Sequence, residues 1–117
     1  MSRLTRPVVA RAIAVFAAIA LVAPIAGVSA QDQGQKVFES KCASCHGKDG
    51  KADTKIGKTM KVPDLTKTPW KAGTSQAEVE KLIREGVEKM PKYQGKLEPA
   101  DITAVAKYSR KLGGLEK

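Results

Sequence analysis

The pentapeptide Cys42-Ala43-Ser44-Cys45-His46 contains both cysteines and the only histidine of this 117-residue chain. Two thiols separated by two residues lie about one helical turn apart, so both can reach the two vinyl groups on one edge of a porphyrin and form thioethers. The adjacent imidazole then lies beneath the ring, where a neutral nitrogen can ligate iron. The pentapeptide therefore predicts one covalently bound haem c, held through Cys42 and Cys45, with His46 as the proximal axial iron ligand.

Three other uses of these residues agree less well with the sequence. A structural zinc site needs four cysteine or histidine ligands and a catalytic site three, whereas the chain has only three such residues and two of them are adjacent. A thioredoxin-type dithiol shares the spacing but requires a βαβ pattern that the sequence does not show. A disulfide between Cys42 and Cys45 would close too short a loop to stabilise the fold much.

Residues 1–30 have the pattern of a secretory signal. They carry three arginines, at positions 3, 6 and 11, and no acidic residue, and they then run without charge from Ala12 to Ala30. The run ends in Val28-Ser29-Ala30, a small-residue sequence that is typical of a cleavage site. We predict export to the periplasm and cleavage after Ala30, which leaves residues 31–117 as one small domain.

A retained membrane anchor is the alternative interpretation of the same segment. The uncharged run approaches the length of about 20 residues that a spanning helix requires. Pro24, Gly27 and Ser29 interrupt the run near its end, however, and its most apolar part, from Ala12 to Val22, is short. These interruptions favour a cleaved signal.

Three amphipathic helices are predicted after the signal. The first runs from about Gly34 to Cys42 and leads into the pentapeptide. The second begins at a capping box formed by Ser75 and Glu78 and stops at Gly86, and the third runs from about Pro99 to Gly113-Gly114. Their apolar faces carry Val37 and Phe38, then Val79, Leu82 and Ile83, and finally Ile102, Val105, Ala106, Tyr108 and Leu112. No segment alternates like a strand, so the fold is predicted to be all-α.

A long connection, Gly47 to Thr74, separates the first helix from the second. It is rich in lysine, glycine and proline, and so long a segment without regular structure is unusual in a compact domain. A loop that wraps a cofactor is ordered by contact with it. We therefore predict that the prolines of this connection, Pro63 and Pro69, and its apolar residues Ile56, Val62 and Leu65 touch the porphyrin.

The iron position opposite His46 needs a second ligand or stays open. No other histidine exists, and the thioether candidates after the signal are Met60 and Met90. Met90 follows the helix stop at Gly86 and precedes Pro91, so it lies in a short loop whose backbone is extended rather than helical. We predict Met90 as the distal axial ligand, with Met60, a lysine or an open position as the alternatives.

These features together resemble the class I c-type cytochromes of the small bacterial monohaem type. The matching pieces are Gly34, Val37 and Phe38 in the first helix, the pentapeptide with Gly47, the segment Pro63-Asp64-Leu65, the segment Lys89-Met90-Pro91, and Val105 to Leu112 in the last helix. The resemblance implies a small cytochrome c fold of three to five short helices around one haem. It also implies that the first and last helices cross where Gly34 permits close approach and Phe38 packs near Tyr108.

The sequence departs from this resemblance in one place. Many such cytochromes have a proline about twelve residues after the histidine, and its carbonyl orients the imidazole. Here that region reads Ile56-Gly57-Lys58, and Pro63 comes later. The backbone acceptor for the imidazole of His46 is therefore left open.

With protein ligands on both sides of the iron, no small-molecule substrate binds there, so the chain is not predicted to be an enzyme. We predict a soluble periplasmic electron carrier that cycles between Fe(III) and Fe(II). The alternative is a haem c subunit of a larger respiratory or dehydrogenase complex. A haem enzyme or sensor is the remaining possibility, but it needs an open iron position and usually distal acid–base residues.

The charge of the chain indicates its partners. The formal net charge is +9, and lysines crowd the segment after the pentapeptide at positions 48, 51, 55, 58, 61, 67 and 71. Such residues either form an ordinary solvated surface or make a positive rim that steers a monomeric carrier towards acidic patches on redox proteins. Nucleic acid is not an expected partner, because the basic residues lack interleaved aromatic side chains.

Overall fold

A computed structural model describes residues 13–23, 27–67 and 74–116. The three arginines of the predicted signal lie outside these ranges, as do Pro69 and Lys71. In the described ranges no helix is both long enough and apolar enough to cross a membrane.

The described residues form five α-helices and one π-helical turn. The elements are α1 (Ala30–Val37), the π turn (Phe38–Cys42), α2 (Ala43–His46), α3 (Lys55–Met60), α4 (Gln76–Glu85) and α5 (Pro99–Leu112). Two isolated β-bridges, Val87 with Met90 and Gln94 with Leu97, occur in these ranges, and no strand does. The prediction of an all-α fold of three to five short helices is confirmed.

The first and last long helices cross at Gly34. A Cβ atom placed on this residue would lie 2.9 Å from the Cβ of Tyr108 and against the Ala104 carbonyl, so only glycine lets the two backbones approach this closely. Beside the crossing, the rings of Phe38 and Tyr108 pack with their centroids 5.4 Å apart. The side-chain amide of Gln33 also donates to Asp101 across 2.8 Å.

The second predicted helix has the capping box that its sequence indicates. The Ser75 hydroxyl accepts from the Glu78 N–H over 3.2 Å, and the Glu78 carboxylate accepts from the Ser75 N–H over 2.7 Å. Gly86 ends this helix with a φ of 74°, a conformation that glycine adopts without strain. Residues at its own two ends therefore determine where α4 begins and stops.

The core fills the space between α1, α4 and α5. Phe38 and Val105 are its most completely enclosed large side chains, at 1% and 0% exposure. The other buried members of the cluster are Val37, Leu65, Val79, Ile83, Ile102 and Ala106. Apolar residues on one stripe of each helix supply this cluster, as the sequence periodicity indicates.

Two local features differ from the expectations. The first helix begins at Ala30 rather than Gly34, because the Ser29 hydroxyl accepts from the Asp32 N–H and caps it. The connection after the pentapeptide contains α3, which Thr54 caps through a 2.8 Å bond to the N–H of Gly57. A helix of six residues is too short to produce a clear apolar period in the sequence.

Candidate haem-binding site

The π turn positions Cys42 in the wall of a cavity. The Ala43 N–H donates to the carbonyl of Phe38, five residues back, so the helix carries one extra residue per turn before α2 begins. Cys42 ends the π turn and Cys45 lies within α2. Both thiols are free, half-buried and part of the wall of one cavity.

His46 ends α2 on the same cavity wall. Its Nδ1 atom is buried and has no hydrogen-bond partner among the residues that the structure describes. Burial lowers the pKa of this imidazole, which favours the neutral form that ligates metals. The ring also lies beside Phe38, with 6.3 Å between the centroids.

The backbone after the pentapeptide is held by its own hydrogen bonds. The carbonyl of His46 accepts from the Ala52 N–H over 2.7 Å, and the carbonyl of Cys45 accepts from the Thr54 hydroxyl over 3.0 Å. A Cβ atom on Gly57 would lie 2.5 Å from the Ala52 carbonyl and would also collide with the Cys45 carbonyl. This close contact with α3 fixes the position of the pentapeptide.

The cavity has a volume of about 230 Å³, and a second, smaller cavity of about 60 Å³, here called the inner cavity, shares part of its wall. The residues that line both are Cys42, His46, Leu65, Leu82 and Met90. The outer cavity is also lined by Lys41, Cys45, Met60, Lys61, Val62, Pro63, Val87, Glu88, Lys89, Pro91 and Tyr93. Apart from Cys42, His46 and Ser109, the residues that line the inner cavity are apolar, as suits a large flat cofactor.

The loop that carries Met90 is tied at several points. Val87 and Met90 exchange backbone hydrogen bonds of 3.2 and 2.8 Å. The backbone N–H of Tyr93 donates to the Ile83 carbonyl near the end of α4. The side-chain hydroxyl of Tyr93 donates to the Lys41 carbonyl in the π turn. Met90 is therefore held at the cavity, where Met60 at the end of α3 also lies.

The structure brings most of the predicted contact residues to this cavity but not all. Val62, Pro63 and Leu65 line it, whereas Ile56 is 46% exposed and is not part of its wall. Among the described lysines of the predicted rim, Lys61 alone lines the cavity, and Lys58 forms an ion pair with Asp53 instead. The other lysines in the cavity wall are Lys41 and Lys89.

Leu82, Tyr93 and Ser109 are among the lining residues that were not identified from the sequence as site residues. Leu82 and Tyr93 do carry a signal, because the first belongs to the apolar stripe of α4 and the second lies only three residues after Met90. Ser109 carries none, since a serine in a helix is usually exposed.

These residues fit covalent haem c. Burial, together with the neighbouring Cys45, raises the pKa of the Cys42 thiol to about 11, so this thiol is protonated and neutral near pH 7. The imidazole of His46, whose buried Nδ1 has no partner in the part of the chain that the structure describes, and a methionine lie at the same cavity. Two thiols, one imidazole and one thioether form a donor set that suits haem iron.

A fold of short helices around such a site defines a c-type cytochrome. The sequence profile of the family described as cytochrome c oxidase, cbb3-type, subunit III, matches residues 29–108. The chain belongs to this family.

Relatives of known sequence agree with this assignment. The chain is 36% identical to the cbb3-type cytochrome c oxidase subunit FixP of Bradyrhizobium diazoefficiens over 70% of its own length and 27% of the relative's. It is 38% identical to subunit CcoP of Cereibacter sphaeroides over 72% of its length and 28% of the relative's. It is also 38% identical to cytochrome c6 of Nostoc sp. over 64% of each chain. The chain thus spans little more than a quarter of the oxidase subunits.

A solved structure also indicates a c-type cytochrome. The KustC0563 c-type cytochrome superposes with a TM-score of 0.60 at 28% identity, over 72% of this chain and 98% of that one. Membership of a cytochrome c family implies covalently bound haem c with its iron. The protein therefore belongs to the haem proteins of electron transport.

Proposed function

We propose that this chain transfers single electrons through a six-coordinate haem c, as a subunit of a respiratory oxidase complex. The observation that carries the proposal is one cavity lined by Cys42, Cys45, His46 and Met90. The cbb3-type oxidase subunits among the relatives favour the subunit role over the freely diffusing carrier.

The four residues divide into two pairs. Cys42 and Cys45 would hold the porphyrin through thioethers, and His46 and Met90 would ligate its iron. Haem c when bound supplies the one-electron Fe(III)/Fe(II) couple. A thioether opposite an imidazole favours the ferrous state and so raises the reduction potential.

The surroundings of these residues keep the site closed. Met90 is partly buried and packs against the hydrophobic core, so its displacement would also disturb that packing. With His46 and Met90 both ligating the iron, no position would be left on it for a substrate. This arrangement suits outer-sphere electron transfer rather than catalysis at the iron.

Absorption spectra of the ferric and ferrous holoprotein test the proposal. We expect a low-spin spectrum of covalent haem, its loss in Met90→Ala, and its retention in Met60→Ala. The two substitutions remove the same side chain from the same cavity, so the second is a matched control. An unchanged spectrum in Met90→Ala, or rapid cyanide binding by the unmodified ferric protein, would contradict six-coordinate ligation.

A separate experiment distinguishes a subunit from a free carrier. The free carrier is the second candidate, because this chain covers 98% of a solved c-type cytochrome chain but only 27% of an oxidase subunit. A subunit is expected to co-purify stoichiometrically with an oxidase from mildly solubilised membranes. Recovery as a monomer in the soluble fraction would support the carrier instead.

The proposal also includes export to the periplasm, with residues 1–30 as the signal. Cleavage after Ala30 would remove Ser29, whose hydroxyl caps α1, so α1 would then begin with a free amino terminus. Intact-mass analysis is expected to give residues 31–117 plus one haem. A mass that includes residues 1–30 would show that the segment is retained as an anchor.

A further inference from the structure

Cleavage after Ala30 would make Gln31 the first residue of the chain. Gln31 lies in the first turn of α1 and is exposed. Its side-chain oxygen Oε1 accepts from the ammonium group of Lys111 on α5 over 3.4 Å. Its side-chain nitrogen Nε2 donates no hydrogen bond to the residues that the structure describes. The oxygen of this amide therefore contacts the rest of the fold, and the nitrogen does not.

Removal of the signal takes two hydrogen-bond acceptors away from the start of α1. The Ser29 hydroxyl accepts from the Asp32 N–H over 3.1 Å, and the Ser29 carbonyl accepts from the Gln33 N–H over 3.0 Å. The new amino terminus is an ammonium group at neutral pH. A positive charge at this end opposes the helix dipole, which is itself positive there. An uncharged first residue would therefore suit α1 better than a residue with a free amino group.

The first turn of α1 also takes part in a contact between distant helices. The side-chain amide of Gln33 donates to Asp101 on α5 over 2.8 Å, and the next residue, Gly34, lies at the crossing of the two helices. Fraying of the first turn would reach both contacts. The charge of the amino terminus therefore concerns the packing of α1 on α5.

An amino-terminal glutamine can become uncharged by a reaction within the residue. Its unprotonated α-amino nitrogen attacks the side-chain carbonyl carbon Cδ and closes a five-membered ring. The new N–Cδ bond replaces the Cδ–Nε2 bond, one proton passes from the amine to Nε2, and ammonia leaves. Both reacting groups belong to one residue, so their effective concentration is high. The reaction needs no oxidant, reductant or other co-reactant.

We propose that Gln31 is a modification site, which cyclises to pyroglutamate after the signal has been removed. The inference rests on the cleavage after Ala30 that the proposed function includes. The product keeps Oε1, the atom that contacts Lys111, and expels Nε2, the atom without a partner within the described ranges. It also lacks the positive charge of a free amino terminus, as an acetylated chain does.

Intact-mass analysis of the mature holoprotein tests the modification. Cleavage alone gives the mass of residues 31–117 plus one haem, and we expect cyclisation to lower this mass by one ammonia. Stepwise amino-terminal sequencing is expected to fail, because the lactam has no free α-amino group. The tryptic peptide of residues 31–36 should contain the whole loss, since Lys36 is the first basic residue after the signal. A free amino group on this peptide after prolonged incubation at neutral pH overturns the inference.

Two variants locate the reaction. Gln31→Ala has no side-chain carbonyl that could close the ring, so we expect its full mass and a readable amino-terminal sequence. It should also elute later from a cation-exchange column, because it keeps one more positive charge. Gln35→Ala removes an exposed glutamine from the same peptide and is expected to retain the loss of ammonia. A loss that persists in Gln31→Ala, or that disappears in Gln35→Ala, would assign it to another residue and overturn the inference.

The outcomes distinguish this inference from the haem site. A low-spin covalent haem spectrum together with uncyclised Gln31 overturns the modification and leaves the electron-transfer function standing. A chain that begins at any residue other than Gln31 overturns both the cleavage position and the modification, whatever its spectrum. Absence of covalent haem contradicts the electron-transfer function, whereas the peptide of residues 31–36 reports the modification independently.

Discussion

The side-chain hydroxyl of Tyr93 donates a hydrogen bond of 3.1 Å to the backbone carbonyl of Lys41. This bond joins the loop that contains Met90 to the π turn that contains Cys42, across 52 positions of sequence. Burial, with smaller effects from Cys42 and Cys45, raises the pKa of the phenol, so it remains a donor at neutral pH. Both sides of the cavity are thereby connected through one side chain.

Replacement of Tyr93 by phenylalanine is expected to loosen the Met90 loop while keeping the covalent haem. Loss of one such hydrogen bond costs about 1 kcal/mol, which corresponds to roughly a fivefold change in an equilibrium. We expect imidazole to displace the methionine with about fivefold higher apparent affinity, measured by absorption titration. Tyr108→Phe makes the same chemical change in α5, and an equal effect there would contradict the role of Tyr93.

Substitution of Gly34 by alanine is expected to force α1 and α5 apart. The added Cβ would meet the Ala104 carbonyl and the Cβ of Tyr108, and such overpacking typically costs about 1–3 kcal/mol. Urea unfolding followed by circular dichroism measures the loss. The control is Lys36→Ala on the exposed face of α1, and equal stability of the two variants would show that the helices adjust without cost.

The capping box of α4 predicts a dependence of stability on pH. Hydrogen bonds from the backbone and then the side chain of Ser75 lower the pKa of Glu78 below its ordinary value. A carboxyl group with a lowered folded-state pKa stabilises the fold above its unfolded pKa of about 4.3 and loses this contribution as the pH falls through the folded value. Glu78→Gln should therefore lower Tm at pH 7 and reduce the decrease in Tm between pH 5 and pH 3. If Tm decreases as much in Glu78→Gln as in the unmodified protein, other carboxyl groups cause the decrease.

Three lysines at the cavity, Lys41, Lys61 and Lys89, are expected to govern the rate of electron exchange with acidic redox partners. Charge reversal in Lys61→Glu and Lys89→Glu should slow exchange at low salt and flatten its dependence on ionic strength, since exposed charges are screened over about 10 Å at 0.1 M salt. Stopped-flow kinetics with a partner oxidase measures both effects. Lys107→Glu reverses an exposed charge on α5 outside the cavity wall. A rate that falls equally in Lys107→Glu would indicate an effect of net charge alone.

Local signals in the sequence were sufficient to predict most of the helices. The capping box of Ser75 and Glu78 and the glycine at position 86 define α4 because each acts on hydrogen bonds of its own helix end. The same holds for Pro99 at the start of α5. Helix α3 was not predicted, because its cap at Thr54 precedes only six residues.

Sites that depend on contacts between distant segments could not be derived in this way. Ile56 was expected at the porphyrin and is instead exposed, since Gly57 rather than its neighbour packs against the carbonyls of Cys45 and Ala52. The lysines of the cavity wall likewise come from three separate segments. Only one of them, Lys61, belongs to the run that the sequence emphasises.

The sequence by itself determined the cofactor class, covalent haem c, because the spacing of two thiols and a histidine is a local chemical property. It also determined the all-α class, through helix periodicity and caps. Tertiary structure decided which side chains share the cavity, joined Tyr93 to Lys41, and placed Ser109 in an apolar wall. The physical reason is that burial and side-chain contacts depend on the packing of α4 and α5 against the π turn, and no short stretch of sequence contains all three.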